Sequence, residues 1–270
     1  MKLLQLILVL SIGIFFGQNK QFIYEYRFIP DSTRKSDIRT EIMILDISPK
    51  KSEFYSLEQF RSDSTLLADS QKGIWTMPPN KPMISDRVIK YPHSGRITYV
   101  KTLDEKYFVD QEIQLNWKPA NEFKTILNYK AQKATAEFGG RTWTAWFTTE
   151  IPLQDGPYKF SGLPGLILEI EDRSKSHQFS LRAVKNSGTE IIYPNLNNYK
   201  ELKTTYSQYV KIFRSYRKNP AAGLVGKIPD QTDASGKFIS GTQQVREIEK
   251  MRLESFKKDN NILEIELLSK

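Results

Sequence analysis

The run Gly156-Pro157-Tyr158-Lys159-Phe160-Ser161-Gly162-Leu163-Pro164-Gly165-Leu166-Ile167, continuing to Asp172, constrains what this chain can fold into more than any other stretch. It sets two turns around a short apolar core and then leaves as a strand. Asp155-Gly156-Pro157 reads as the first turn, and Leu163-Pro164-Gly165-Leu166 fits a type II turn with Gly165 at the position that requires positive φ. Leu166 to Glu171 alternates apolar and polar residues, as a strand with one wet face does. Such residues specify backbone geometry before chemistry. The motif therefore reads first as a lock on a tight corner of a sheet, with a ligand-adjacent role as the competing reading.

The rest of the chain supplies the sheet. Gln21 to Phe28 places Phe22, Tyr24, Tyr26 and Phe28 on one face of a strand, and Ile38 to Ile47 alternates in the same way. Strands are expected at 53–60, 87–91, 95–103, 106–117, 124–137, 141–148, 166–172 and 178–185, with a short helical turn at 63–70. The proline-rich run Met77 to Met83 cannot join a ladder. His93-Ser94-Gly95 and Phe138-Gly139-Gly140 are hairpin-type breaks.

Beyond Tyr199 the period changes. Tyr199, Leu202, Tyr206, Tyr209, Val210, Phe213 and Tyr216 recur at helical spacing until Asn219-Pro220, and Val245, Ile248, Met251, Arg252 and Phe256 form a second helical stripe. Leu263, Ile265 and Leu267 read as a last strand. The expected fold is α+β: a large curved antiparallel sheet or open half-barrel, with two C-terminal amphipathic helices over its concave face or its edge. The expected domain plan is a leader at 1–17 and one domain at 18–270, strand-rich over 20–193, helical over 199–258 and ending in a strand at 261–268.

These residues resemble the GLPGLI family of exported proteins of Bacteroidota-type bacteria. The likeness runs through Asn116-Trp117-Lys118, Lys124 to Thr135 and Gly140 to Pro152 up to the signature, and is densest over residues 107 to 172. Where the family pattern has Gly-Tyr-x-Cys-Gln-Lys-Ala, this chain carries Asn128 for the Gly and Ala131 for the Cys, which leaves no thiol for a family role. The resemblance implies export and a shared fold. The family's function is unknown, so it implies no mechanism.

Lys2 followed by the apolar stretch Leu3 to Phe16 has the layout of a secretory signal peptide, and Asn19 and Lys20 end it short of the roughly 20 residues that span a bilayer. Cleavage is expected ahead of Gln18. The chain has no cysteine, so disulfides, thiolate metal sites, a cysteine nucleophile and a lipid-modified cysteine are excluded. The expected location is the periplasm or the cell surface, soluble after cleavage. A net charge of +9 favours anionic surfaces of the envelope, but the basic residues are too dispersed for a nucleic-acid arm.

Candidate chemistry is sparse. The two histidines, His93 and His177, lie far apart, and no His-Glu-x-x-His, Gly-x-Ser-x-Gly or phosphate-binding Gly loop is present. Met77, Met83 and His93 offer soft ligands at irregular spacing, better read as packing or exposed residues. No metal or other cofactor is expected. Glu150, Asp155, Glu169, Glu171 and Asp172 cluster in sequence, and a converging pair would suit glycoside hydrolysis or calcium. Glu169 and Glu171 equally fit the solvent face of a half-buried strand. Arg141, Trp143, Trp146 and Tyr158 are the candidate ligand-binding residues, since flat rings beside a guanidinium suit a sugar, peptide or lipid. Trp143 and Trp146 are three apart, so they face opposite sides of a strand and one belongs to the core.

The leading expectation is a non-catalytic exported protein holding an apolar ligand or a partner segment on the curved sheet, the partner being a lipid or another envelope component. A hydrolase or peptidase accessory using the clustered carboxylates is the enzymatic alternative. A surface assembly or adhesion module beside outer-membrane transporters is the third.

Overall fold

A computed structural model of the chain describes residues 19–78, 82–92, 94–196, 200–232 and 234–269. The expected leader at 1–17 and His93 lie outside the described residues. Among these residues twelve strands form one open sheet: β1 (Asn19–Phe28), β2 (Arg39–Ile47), β3 (Ser52–Ser56), β4 (Arg87–Lys90), β5 (Arg96–Thr102), β6 (Lys106–Glu112), β7 (Lys118–Ile126), β8 (Tyr129–Phe138), β9 (Arg141–Thr148), β10 (Leu166–Asp172), β11 (His177–Ser187) and β12 (Glu201–Thr205). The order is β12-β6-β5-β4-β3-β2-β1-β11-β10-β9-β8-β7. It is a mixed sheet, because β12 runs parallel to β6 while the other pairs are antiparallel.

The central strand β1 shows why one face becomes the core. Phe22, Tyr24, Tyr26 and Phe28 are buried and alternate with more exposed neighbours. Opposite them stand Leu45 and Met43 on one side and Leu181 and Phe179 on the other. Tyr26 stacks on Phe179 at 4.1 Å between ring centroids, and cross-strand aromatic pairs of this kind each contribute on the order of 0.2–1 kcal/mol. The opposite face is wet near Glu25, which pairs with Arg182.

Among the described residues three α-helices complete the fold: α1 (Leu57–Gln71), α2 (Tyr206–Lys218) and α3 (Gly241–Lys257). Helix α1 lies on the outer face, where Phe60 and Tyr193 pack on Tyr55. Helix α2 covers the core face near β5, with Tyr209 against Tyr99 and both Tyr209 and Phe213 buried. Helix α3 packs on α2 through Phe256, which meets Tyr216 and Arg217.

Four expectations need correction. The strand read at 53–60 stops at Ser56, whose side chain accepts from the Gln59 amide and so caps α1, a full helix rather than a turn. The strand read at 124–137 is two strands, split where Leu127 and Asn128 both take positive φ (47° and 70°) in a two-residue hairpin turn. That geometry suits Asn or Gly, and Asn128 supplies it at the second turn position. The helix expected from Tyr199 starts at Tyr206, because Thr205 and Gln208 form a capping box; Glu201–Thr205 before it is β12. The last strand expected at 261–268 does not form: residues 261–264 are irregular and Ile265–Leu268 is a 3₁₀ turn. The carbonyls of Ile262 and Leu263 accept from the Arg141 side chain instead of joining a ladder.

Candidate functional site

The signature does not sit at a surface corner. The segment between β9 and β10 folds back over the core face of the sheet and fills it: Ile151, Tyr158, Lys159, Phe160, Leu163, Leu166 and Ile167 are buried. Phe160 packs on Trp143 at 4.7 Å and on Phe138 at 5.5 Å. Trp117 donates its indole N–H to the Ser161 carbonyl at 2.8 Å, and Tyr24 of β1 donates to the Ile167 carbonyl at 2.6 Å. A buried loop must satisfy its own backbone. Here the Phe160, Gly162, Leu166 and Ile167 amides donate to the carbonyls of Pro157, Gln154, Ile151 and Asp155.

The glycines carry this packing differently from the type II turn expected. Gly165 does not take positive φ. Its amide donates to the Leu163 carbonyl at 2.7 Å in a tight turn around Pro164. A Cβ at Gly165 would lie 2.0 Å from the Thr148 carbonyl oxygen, so the constraint is backbone contact with β9. Gly156 is held in the same way, since its Cβ would meet Ile167 Cδ1 at 2.8 Å. The left-handed glycine of the motif is Gly162, with φ 90°. Pro157 accepts the turn hydrogen bond that orders Phe160.

Buried charges tie this plug to distant elements. Lys90 of β4 is paired with Asp155 and also donates to the Gly156 carbonyl. Lys159, only 1% exposed, is paired with Glu264 of the C-terminal segment. Glu264 also accepts from Tyr158 at 2.5 Å and from Tyr206 of α2 at 2.8 Å. The Lys159 ammonium lies over the ring of Tyr99 at 4.3 Å, with Tyr158 and Tyr206 at 5.3 and 5.4 Å. Burial pulls both lysines below their ordinary pKa, against the opposing pull of Asp155 and Glu264. Burial likewise pushes the hydroxyls of Tyr158 and Tyr99 up, with Glu264 and Asp86 adding to it. Asp86 in turn accepts from Tyr99 and Lys101, each at 2.6 Å.

Of the candidate ligand-binding residues, three are committed inside. Arg141 holds the C-terminal segment: it donates to the Ile262 and Leu263 carbonyls, to Asn261 Oδ1 at 2.6 Å and to Asp172 at 3.0 Å. Trp143 is fully buried with its N–H on the Phe138 carbonyl, and Tyr158 belongs to the core. Trp146 faces the other side, partly exposed, under the Lys124 ammonium at 4.6 Å.

The carboxylates do not converge. Asp155 and Asp172 point inward to Lys90 and Arg141. Glu169 and Glu171 are partly exposed on the outer face, which a bulge at Leu168 sets by leaving that residue without a partner on β9. Glu169 pairs with Lys124 there. Glu150 accepts from the Lys130 amide at 2.8 Å. Asp172 also receives the His177 amide. Burial alone would raise the Asp172 carboxyl, but hydrogen bonds from Ser174 and the His177 amide, with Arg141, hold it below its ordinary value. His177 is buried against Tyr26 at 2.7 Å; burial and then Arg141 lower its pKa to about 4. Among the described residues no group of three or more acidic or histidine side chains could hold a metal ion.

The residues missed from the sequence are Lys90, Tyr99, Tyr206 and Glu264. They lie from 47 to 106 positions from their signature partners, and only Tyr206 carries a sequence signal, as part of the helical stripe.

A family model described as a protein of unknown function, Porph_ging, matches residues 137–169, which spans β8's end, β9 and the plug. Two crystal forms of PNGF-II share the fold, with TM-scores of 0.51 and 0.52 at 13% and 14% identity over 73% of this chain. The matched region is about a third of that larger protein, 33% and 32% of its chain in the two forms. No curated protein matches. No helix among the described residues is long and apolar enough to cross a membrane. The comparisons thus show the fold of the sheet, and a likeness to a domain of unknown function over residues 137–169 alone.

Proposed function

We propose that this chain is an exported, non-catalytic protein of the bacterial cell envelope, of the GLPGLI type, that works by binding. The observation that supports this reading is the state of the signature: its buried charged groups, Asp155, Lys159 and Asp172, are paired inside the fold, and its apolar groups fill the concave face. A face filled by the chain's own Phe160, Leu163 and Trp143 favours a partner met on the outside over a lipid carried within. The scattered carboxylates, each hydrogen-bonded or ion-paired where their partners are seen, supply no acid and base pair for a hydrolase.

Fractionation and N-terminal sequencing of the native protein test the reading. The expected result is a chain beginning at Gln18 in the periplasmic or envelope fraction, with no stoichiometric lipid in an organic extract. An intact Met1 end in the cytosolic fraction would overturn export, and one tightly held lipid per chain would overturn the filled core.

A further inference from the structure

Strand β7 is one edge of the sheet, and of its nine residues only Ile126 is buried. The opposite edge strand, β12, has five residues and runs straight into α2. A long exposed edge offers its N–H and C=O groups to any strand that matches it.

Which of these groups face outward follows from the hairpin. Ile126 and Tyr129 close the two-residue turn, so their backbone groups bond each other; the alternation of an antiparallel ladder then turns those of Lys124 to β8 and those of Phe123 and Thr125 to the open side. Nearer the start of the strand, Pro119 has no N–H, and Ala120 to Glu122 bulge against the single residue Lys133 of β8. The edge is therefore blunted over its first residues and regular from Phe123 to Ile126.

The charges around Phe123 identify what fits there. Glu122 and Lys124 both reach over the outer face, to Lys133 at 2.9 Å and to Glu169, with side chains still 57% and 39% exposed. Phe123 lies between them on the opposite face, 48% exposed beneath the Lys130 ammonium. A second copy laid antiparallel about Phe123 sets Glu122 opposite Lys124 of the other copy, and Lys124 opposite its Glu122, while the two Phe123 residues exchange their outward backbone groups. The Lys133–Glu122 and Lys124–Glu169 pairs then join into alternating rows of charge across the junction. Centring the pair on Thr125, the other residue with outward groups, would set Lys124 opposite Ile126 and match no charges. Because both copies use the same edge, the arrangement closes at two. We propose that the β7 edge joins two copies of this chain by antiparallel pairing centred on Phe123, so that one sheet runs through both. The surface lies outside the filled core, and its use does not depend on export.

The test is sedimentation equilibrium of the chain from Gln18 onward, which holds every described residue, at about 100 µM, a concentration suited to the small area that one strand edge buries. A dimer is expected. Glu122→Lys and Lys124→Glu each set like charges opposite one another twice in the symmetric pair, so each should weaken dimerisation at least about tenfold. At these exposed positions the thermal midpoint should stay that of the parent. An equimolar mixture of the two variants should recover the dimer, since each then meets an opposite charge at both positions, a rescue that a merely local role for either residue would not produce. A parent chain that sediments as a monomer, a dimer that either variant leaves intact, or a mixture that stays monomeric would each overturn the proposal.

Discussion

The signature segment and the Trp75 loop are both short, glycine-marked connections rich in proline and large apolar side chains, yet the fold uses them in opposite ways. In the signature the apolar groups turn inward onto Trp143 and Phe138, and the buried Asp155 and Lys159 each have a partner from a remote element. In the Trp75 loop the polar groups turn back onto α1 and the apolar groups face water. The difference lies in what surrounds each backbone. Gly156 and Gly165 allow the signature to lie against Ile167 and Thr148 at distances that no side chain would permit, whereas nothing lies within 4 Å of where a Cβ at Gly73 would stand. A recognisable motif can therefore be the least accessible part of a molecule.

The comparison breaks first at Gly165. Gly165→Val places a branched side chain into the Thr148 carbonyl, and should cost about 5 kcal/mol, at the far end of single replacements. Against a typical total of about 5–15 kcal/mol this leaves little folded protein, as a denaturant titration beside the parent would show. An unchanged midpoint would mean that the plug is not packed as described.

Glu264→Ala comes next, with an expected loss of about 3–5 kcal/mol, because it strands the Lys159 ammonium in the core. Adding Lys159→Met to it should recover much of the loss, since the uncompensated charge is then gone. A double variant as unstable as the single one would show that the pair matters through packing alone.

Acid should act through His177. Its pKa falls from 6.5 to about 4 on folding, so the neutral ring belongs to the native state. That contribution is fully present above pH 6.5 and is lost as pH falls through about 4, on the order of 3 kcal/mol in all. Melting temperatures between pH 7 and 4 should therefore decline more steeply than those of His177→Gln. Parallel curves would remove His177 from the account. The smallest effect is expected at Pro164, where Ala gives up only a preset φ and some restriction of the unfolded chain, below about 1 kcal/mol; the check is a shift in the thermal midpoint of no more than a few degrees.

The alternation of β1 and the helical stripe of α2 were legible in the sequence because a period reports directly on a buried face. The facing of Trp143 and Trp146 followed from their three-residue spacing in the same way. What could not be read was the path of the signature across the sheet. That path depends on Lys90, Tyr99 and Glu264, which meet Asp155 to Lys159 only after the sheet has curved around them. The turn type at Gly165 was misread for a related reason: a Pro-Gly pair fits a positive φ locally, and only the neighbouring β9 backbone shows that the glycine is needed for space. Trp75 lies beside the proline run from Met77, and no sequence period marks a wholly exposed side chain.

The central claim, that the signature is a structural plug and not a ligand site, is tested most directly by native-state hydrogen exchange across residues 151–167. The account predicts that the amides of Phe160, Gly162, Leu166 and Ile167, bonded within the plug, exchange as slowly as those of β1 and β11, by global unfolding alone. Exchange at the rate of an open loop, or protection that appears only when envelope extract is added, would contradict it.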